Sequence, residues 1–100
     1  MRRAAKTDRN QAEIVSALRS IGATVQPLHT VGQGVPDLLV GFRGQTLLME
    51  IKDGNKPPSA RELTPDQQEW ISAWRGGCVW VIRDVSQAVD VAQQAAKVQA

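Results

Sequence analysis

Apolar positions first recur at helical spacing in residues 9–21, where Ile14, Leu18 and Ile21 fall on one stripe. Thr7 or Asp8 can cap that helix, and Gly22 offers its stop. Residues 23–28 read as a short β-compatible segment that Pro27 pushes toward a sheet edge or a bulge. Residues 29–35, with Gly32 and Gly34, read as a loop. Two strands follow, over residues 37–42 and 45–52, joined by Arg43-Gly44 as a tight turn. Side chains alternate across a strand, so Leu38, Val40 and Phe42 share one face, as do Leu47, Met49 and Ile51. The opposite face gathers Asp37, Glu50 and Lys52.

Thr64-Pro65-Asp66-Gln67 opens a second helix, with a cap residue, proline at the first helical position and glutamine at the third. Gln67, Trp70, Ile71 and Trp74 form its stripe, and Gly76-Gly77 ends it. The tryptophans on that stripe are expected in the core, and Trp80 with them. Residues 78–83 make a short apolar strand of the kind flanked by other strands, with Cys78 as inert packing. Asp84, with Gln87 three residues on, caps an alanine-rich last helix that runs to about Val98. The order is helix, three strands, helix, strand, helix. A helix between two strands predicts a right-handed crossover joining parallel neighbours.

Composition sets the frame for these elements. One hundred residues, 42% of them hydrophobic, suit one packed domain over residues 1–100. The linker-like residues 53–61 are short enough to be a loop within it, and residues 1–7 read as a flexible basic tail. No apolar run reaches bilayer-spanning length and no signal-like segment opens the chain, so neither membrane insertion nor secretion is expected. One cysteine and one histidine exclude an internal disulfide and a Cys/His zinc site, and point to a reducing cytoplasm. The net charge of +2 hides an asymmetry: residues 1–61 carry nine Lys/Arg against five Asp/Glu, and residues 62–100 three against five. Arg2, Arg3, Lys6, Arg9, Lys56 and Arg61 are the candidate phosphate contacts; each taken singly also reads as ordinary surface charge.

The chemistry concentrates in Pro36-Asp37 and, twelve residues later, Glu50-Ile51-Lys52. Two carboxylates converging on one point make an oxygen-rich site for a hard cation such as Mg²⁺, and the Ile51 carbonyl can add a ligand. An ammonium beside that cation can orient a water or steady charge building on a phosphate. These are the parts of phosphodiester hydrolysis. Spacing alone fits an exposed Glu/Lys pair on a solvated strand equally well. Gly32-x-Gly34 is no dinucleotide loop, because Asp37 stands where its third glycine would be. His29 sits in the same loop and reads as structural or exposed.

The stretch Gly34-Val35-Pro36-Asp37-Leu38-Leu39-Val40-Gly41, through Met49-Glu50-Ile51-Lys52-Asp53-Gly54, to Leu63-Thr64-Pro65-Asp66-Gln67 resembles the VRR-NUC (virus-type replication–repair nuclease) family. That family lies within the PD-(D/E)XK superfamily, and the small standalone phage type is the nearest in form. The resemblance implies an α/β fold with a restriction-endonuclease-like αβββαβ core, a mixed sheet flanked by helices, and here an added C-terminal helix. It implies Asp37, Glu50 and the Ile51 carbonyl as holders of Mg²⁺ or Mn²⁺, Lys52 as the residue that positions or activates water, and Glu13 as a further metal contact. Gln67 matches the family glutamine, although a capping box with Thr64 explains the same residue without chemistry.

The function so implied is metal-dependent DNA endonuclease activity, selective for branched DNA such as four-way junctions. A homodimer in the cytoplasm is expected, that of a bacterial host if the chain is phage-encoded. Two rivals are a non-cleaving DNA-binding module of the same fold and a restriction-type or partner-directed nuclease. The first has no use for carboxylates that repel phosphate. The second usually needs recognition elements for which the chain has little spare length.

Overall fold

A computed structural model describes residues 8–98, so the basic tail expected at residues 1–7, with Arg2, Arg3, Lys6 and the candidate cap Thr7, lies outside the described residues. The elements are α1 (Gln11–Ser20), β1 (Thr24–Pro27), β2 (Leu38–Phe42), β3 (Gln45–Ile51), α2 (Pro65–Ala73), β4 (Val79–Ile82) and α3 (Val85–Val98), with a 3₁₀ turn at Pro58–Arg61. They build one mixed sheet in the order β1-β2-β3-β4, whose first three strands are antiparallel and whose fourth runs parallel to β3. Among the described residues, no helix is long and apolar enough to cross a membrane.

The hairpin forms where alternation and turn chemistry agree. Arg43 and Gly44 both take positive φ, 48° and 81°, as a two-residue turn with the strand twist requires. The resulting register pairs Leu38 with Met49 and Val40 with Leu47. Leu38, Val40, Phe42, Leu47, Met49 and Ile51 are buried, together with Ile14 and Leu18 of α1, Ile82 of β4, and Ala88 and Ala92 of α3. Helices α1 and α3 pack on each other, α1 against β1 and α3 against β3 and β4. The small alanines let α3 approach α1 and the sheet closely. Asp84 Oδ1 accepts from Gln87 N at 2.8 Å and fixes where α3 begins.

Four expectations change. Helix α1 starts at Gln11 rather than at residue 9, and Asn10 at its N-cap makes no capping bond. The Asn10 amide donates instead to the carbonyls of Arg83 at 2.9 Å and Lys52 at 3.3 Å, joining α1 to the ends of the two parallel strands. Strand β4 lies at the edge of the sheet, not between other strands. Cys78 precedes β4 and is exposed, not packed. Finally, the tryptophans are not core: α2 buries no residue, its Trp70 stacks on Trp74 just past the helix end with centroids 4.8 Å apart, and Trp74 is 43% exposed and Trp80, on β4, 36%. Helices α1 and α3 fill the face of the sheet that carries the core.

Candidate active site

Extending the β2–β3 register one step past Leu38–Met49 sets Asp37 beside Glu50. The hairpin therefore delivers both carboxylates without any long-range coincidence. Asp37 is fixed further, since its Oδ2 accepts from the Ile51 backbone N–H at 2.8 Å. That bond ties the residue entering β2 to the strand carrying Glu50. Lys52 stands one residue past β3, where its N–H donates to the Ile82 carbonyl at 2.8 Å and continues the parallel ladder. Glu50 and Lys52, two apart, project side by side, and both are buried, at 2% and 7% exposure.

A buried carboxylate and a buried ammonium each need partners. The first turn of α2 supplies them through one side chain. Gln67 Oε1 accepts from Lys52 Nζ at 2.9 Å, while Gln67 Nε2 donates to Glu50 Oε2 at 3.0 Å. The same Oε1 also accepts from the Thr64 backbone N–H, and the Gln67 N–H donates back to the Thr64 hydroxyl. The capping box and the bridge to Lys52 and Glu50 thus coexist in one residue, and the alternatives left open by the sequence are both realised. Lys52 Nζ lies 4.0 Å from Glu50 Oε2.

Positive charge is short at this point. Burial, and then the neighbouring charge of Asp37 with a hydrogen bond that only a protonated carboxyl can donate to it, push the Glu50 carboxyl up to about 9, against a smaller lowering by Lys52. A divalent cation fits what is missing: Asp37 and Glu50 offer hard oxygen donors, and a cation between them removes the repulsion that otherwise requires a proton. Ile51, with its carbonyl, lies between the carboxylate and the ammonium in sequence.

Glu13 does not complete this set. Gln11, Ile14, Val15 and Leu18 take the buried side of α1, which leaves Glu13 exposed beside a small polar pocket of about 130 Å³ with Asn10, Asp53, Asn55, Arg83 and Asp84. Among the described residues, no three His, Cys, Asp or Glu side chains are placed to hold a metal ion together. Of the candidate phosphate contacts, Arg9 is exposed, Arg61 is half-buried, and Lys56 is paired with Asp8 at 3.3 Å. His29 is half-buried, with Nδ1 3.3 Å from Gln11 Nε2.

Two contributors escaped the sequence reading. Asn10 holds the main chain of Lys52, yet asparagine before a helix signals only a cap. The bond from Ile51 N–H to Asp37 was equally hidden, because it uses a backbone group.

No protein-family model and no curated protein matches the chain. Among solved structures, one described as "VRR_NUC domain" is similar, with a TM-score of 0.59 and 30% sequence identity, covering 90% of this chain and 97% of that one. At that identity and coverage the chain belongs to the VRR-NUC family, with that family's nuclease-type fold.

Proposed function

We propose that the protein is a metal-dependent DNA endonuclease that hydrolyses phosphodiester bonds in branched DNA, such as four-way junctions, as a homodimer. The observation that carries this reading is the meeting of Asp37, Glu50, Lys52 and Gln67 at the ends of β2 and β3 and the start of α2. Structural proteins do not ordinarily set a buried carboxylate, Glu50, beside a half-buried one, Asp37, with too little positive charge. Asp37, Glu50 and the Ile51 carbonyl would hold Mg²⁺ or Mn²⁺. The bound cation supplies Lewis-acid polarisation of the phosphate and a more acidic water.

The chain's own groups do the rest. Lys52 Nζ, aimed by the Gln67 carbonyl, orients the attacking water and steadies charge on the phosphate oxygens. Gln67 Nε2 holds the Glu50 carboxylate in one rotamer, so the metal-binding oxygens are set before substrate arrives. Water attacks phosphorus, the bond to O3′ breaks, and O3′ takes up a proton, leaving a 5′-phosphate and a 3′-hydroxyl. Arg9 and Arg61, with Lys56 once released from Asp8, are candidate contacts to the backbone phosphates among the described residues.

The test incubates the protein with end-labelled four-way, flap, nicked and linear duplex DNA in Mg²⁺, Mn²⁺ or EDTA. Cleavage of the four-way junction in either metal and none in EDTA is expected. Absence of metal-dependent cleavage on every substrate refutes the enzyme reading and leaves a binding module, whereas equal cutting of linear duplex refutes only the preference for branches.

A further inference from the structure

We infer that Gly34 is a positioning residue of this site, acting through the backbone of Asp66 and Gln67. The inference rests on the nuclease reading above and adds a residue to which no role is otherwise assigned. Gly34 lies in the loop between β1 and β2, three residues before Asp37. Its φ is +82°, and its Cα faces the first turn of α2 so closely that no side chain fits between them. A Cβ built there would overlap the Asp66 carbonyl oxygen, lying 2.5 Å from the carbonyl carbon and 2.9 Å from Gln67 N.

The loop that carries Asp37 and the helix that carries Gln67 therefore touch, backbone to backbone, at this glycine. Few other contacts seat α2, which buries no residue of its own. Gln67 is the residue that bonds both Lys52 Nζ and Glu50 Oε2. Carbon atoms pack at about 3.5–4 Å, so a methyl group at position 34 would drive the Asp66–Gln67 peptide away by about an ångström. A displacement of that size at a catalytic arrangement lowers turnover by about 100-fold. Gly34 thus has a use unrelated to phosphate binding by a glycine-rich loop: it permits a close approach.

Gly32 supplies the control. It too has positive φ, +75°, but a Cβ there meets nothing within 4 Å. Gly32→Ala thus imposes backbone strain on the same loop without the overlap. The experiment measures kcat and KM on the four-way junction for the wild-type protein, Gly32→Ala, Gly34→Ala, Gln67→Ala and the double variant Gly34→Ala/Gln67→Ala, with thermal midpoints alongside. Gly34→Ala should lose about 100-fold in kcat with KM unchanged, Gly32→Ala should keep wild-type kcat, and the double variant should lose little more than Gln67→Ala alone. Equal losses at Gly32 and Gly34, or additive losses in the double variant, overturn the inference. A nuclear Overhauser contact between a Gly34 Hα and the Gln67 amide proton in the wild-type protein tests the approach itself, even if Gly34→Ala does not fold. Its absence overturns the inference; its presence in a protein that cuts no DNA overturns the nuclease reading instead.

Discussion

At the scale of single residues, the site combines groups that oppose one another until a cation and a phosphate arrive. Lys52 is buried with a neutral carbonyl as its nearest acceptor, at 2.9 Å, and the Glu50 carboxylate further off, at 4.0 Å. Its ammonium is thus only partly neutralised and available to substrate. Lys52→Ala or Glu50→Gln should abolish cleavage while DNA binding, read by electrophoretic shift in Ca²⁺, stays within a few-fold of wild type; near-native turnover in either variant contradicts the assignment. Asp37→Asn should bind junctions at least as tightly, because it removes a charge that repels phosphate. A second prediction concerns protons. The Glu50 carboxyl rises from 4.5 to about 9 in the metal-free fold, so that fold takes up a proton that the unfolded chain has already lost at neutral pH. Its contribution to stability is complete at pH below 4.5 and is lost as pH climbs toward 9. In EDTA the thermal midpoint should fall with rising pH across that interval, and Glu50→Gln should flatten the slope. Identical slopes in the two proteins mean that Glu50 is ionised in the fold.

At the scale of elements, α2 is a lever whose first turn matters more than its length. Thr64→Ala removes the hydroxyl that accepts from Gln67 N–H, at 3.2 Å, and should cost about 1 kcal/mol in chemical denaturation. It should also slow cleavage, because it loosens the residue bridging Lys52 and Glu50. Gly44→Ala, at the hairpin turn where φ is 81°, should cost roughly 1 kcal/mol as well but leave the rate per folded molecule unchanged. Equal rates in the two variants contradict the role given to α2. These elements also show what the sequence could convey. The β2–β3 hairpin, its turn, the Thr64–Gln67 box and the meeting of Asp37 with Glu50 were legible because each depends on neighbours in the chain or on one strand register. The edge position of β4 and the exposure of Trp74 and Trp80 were not, because periodicity marks an apolar stripe without saying what covers it. The placement of Glu13 was hidden for a related reason. The rotation of α1 against the sheet is set by Ile14, Leu18 and the asparagine beside them, and that rotation leaves Glu13 on the exposed side.

At the scale of the whole molecule, one chain brings together one Asp37–Glu50 pair, which serves one strand at a time. A four-way junction has two strands to cut at symmetry-related positions, and a two-fold pair of protomers presents two such sites in matching orientation. Sedimentation should therefore give a mass twice the 10.9 kDa of the chain, both alone and on junction DNA. The division of labour can be read more directly. Lys52→Ala removes chemistry without touching the sheet, so mixed dimers of wild-type and Lys52→Ala protomers, isolated by tags of different charge, should nick a junction in one strand and stop. Paired cuts by mixed dimers mean that one site visits both strands. Loss of all cutting means that the protomers share a catalytic group across their interface, and the site of a single chain is then incomplete. A single nick per junction means that each chain holds a whole site and that symmetry supplies the second cut.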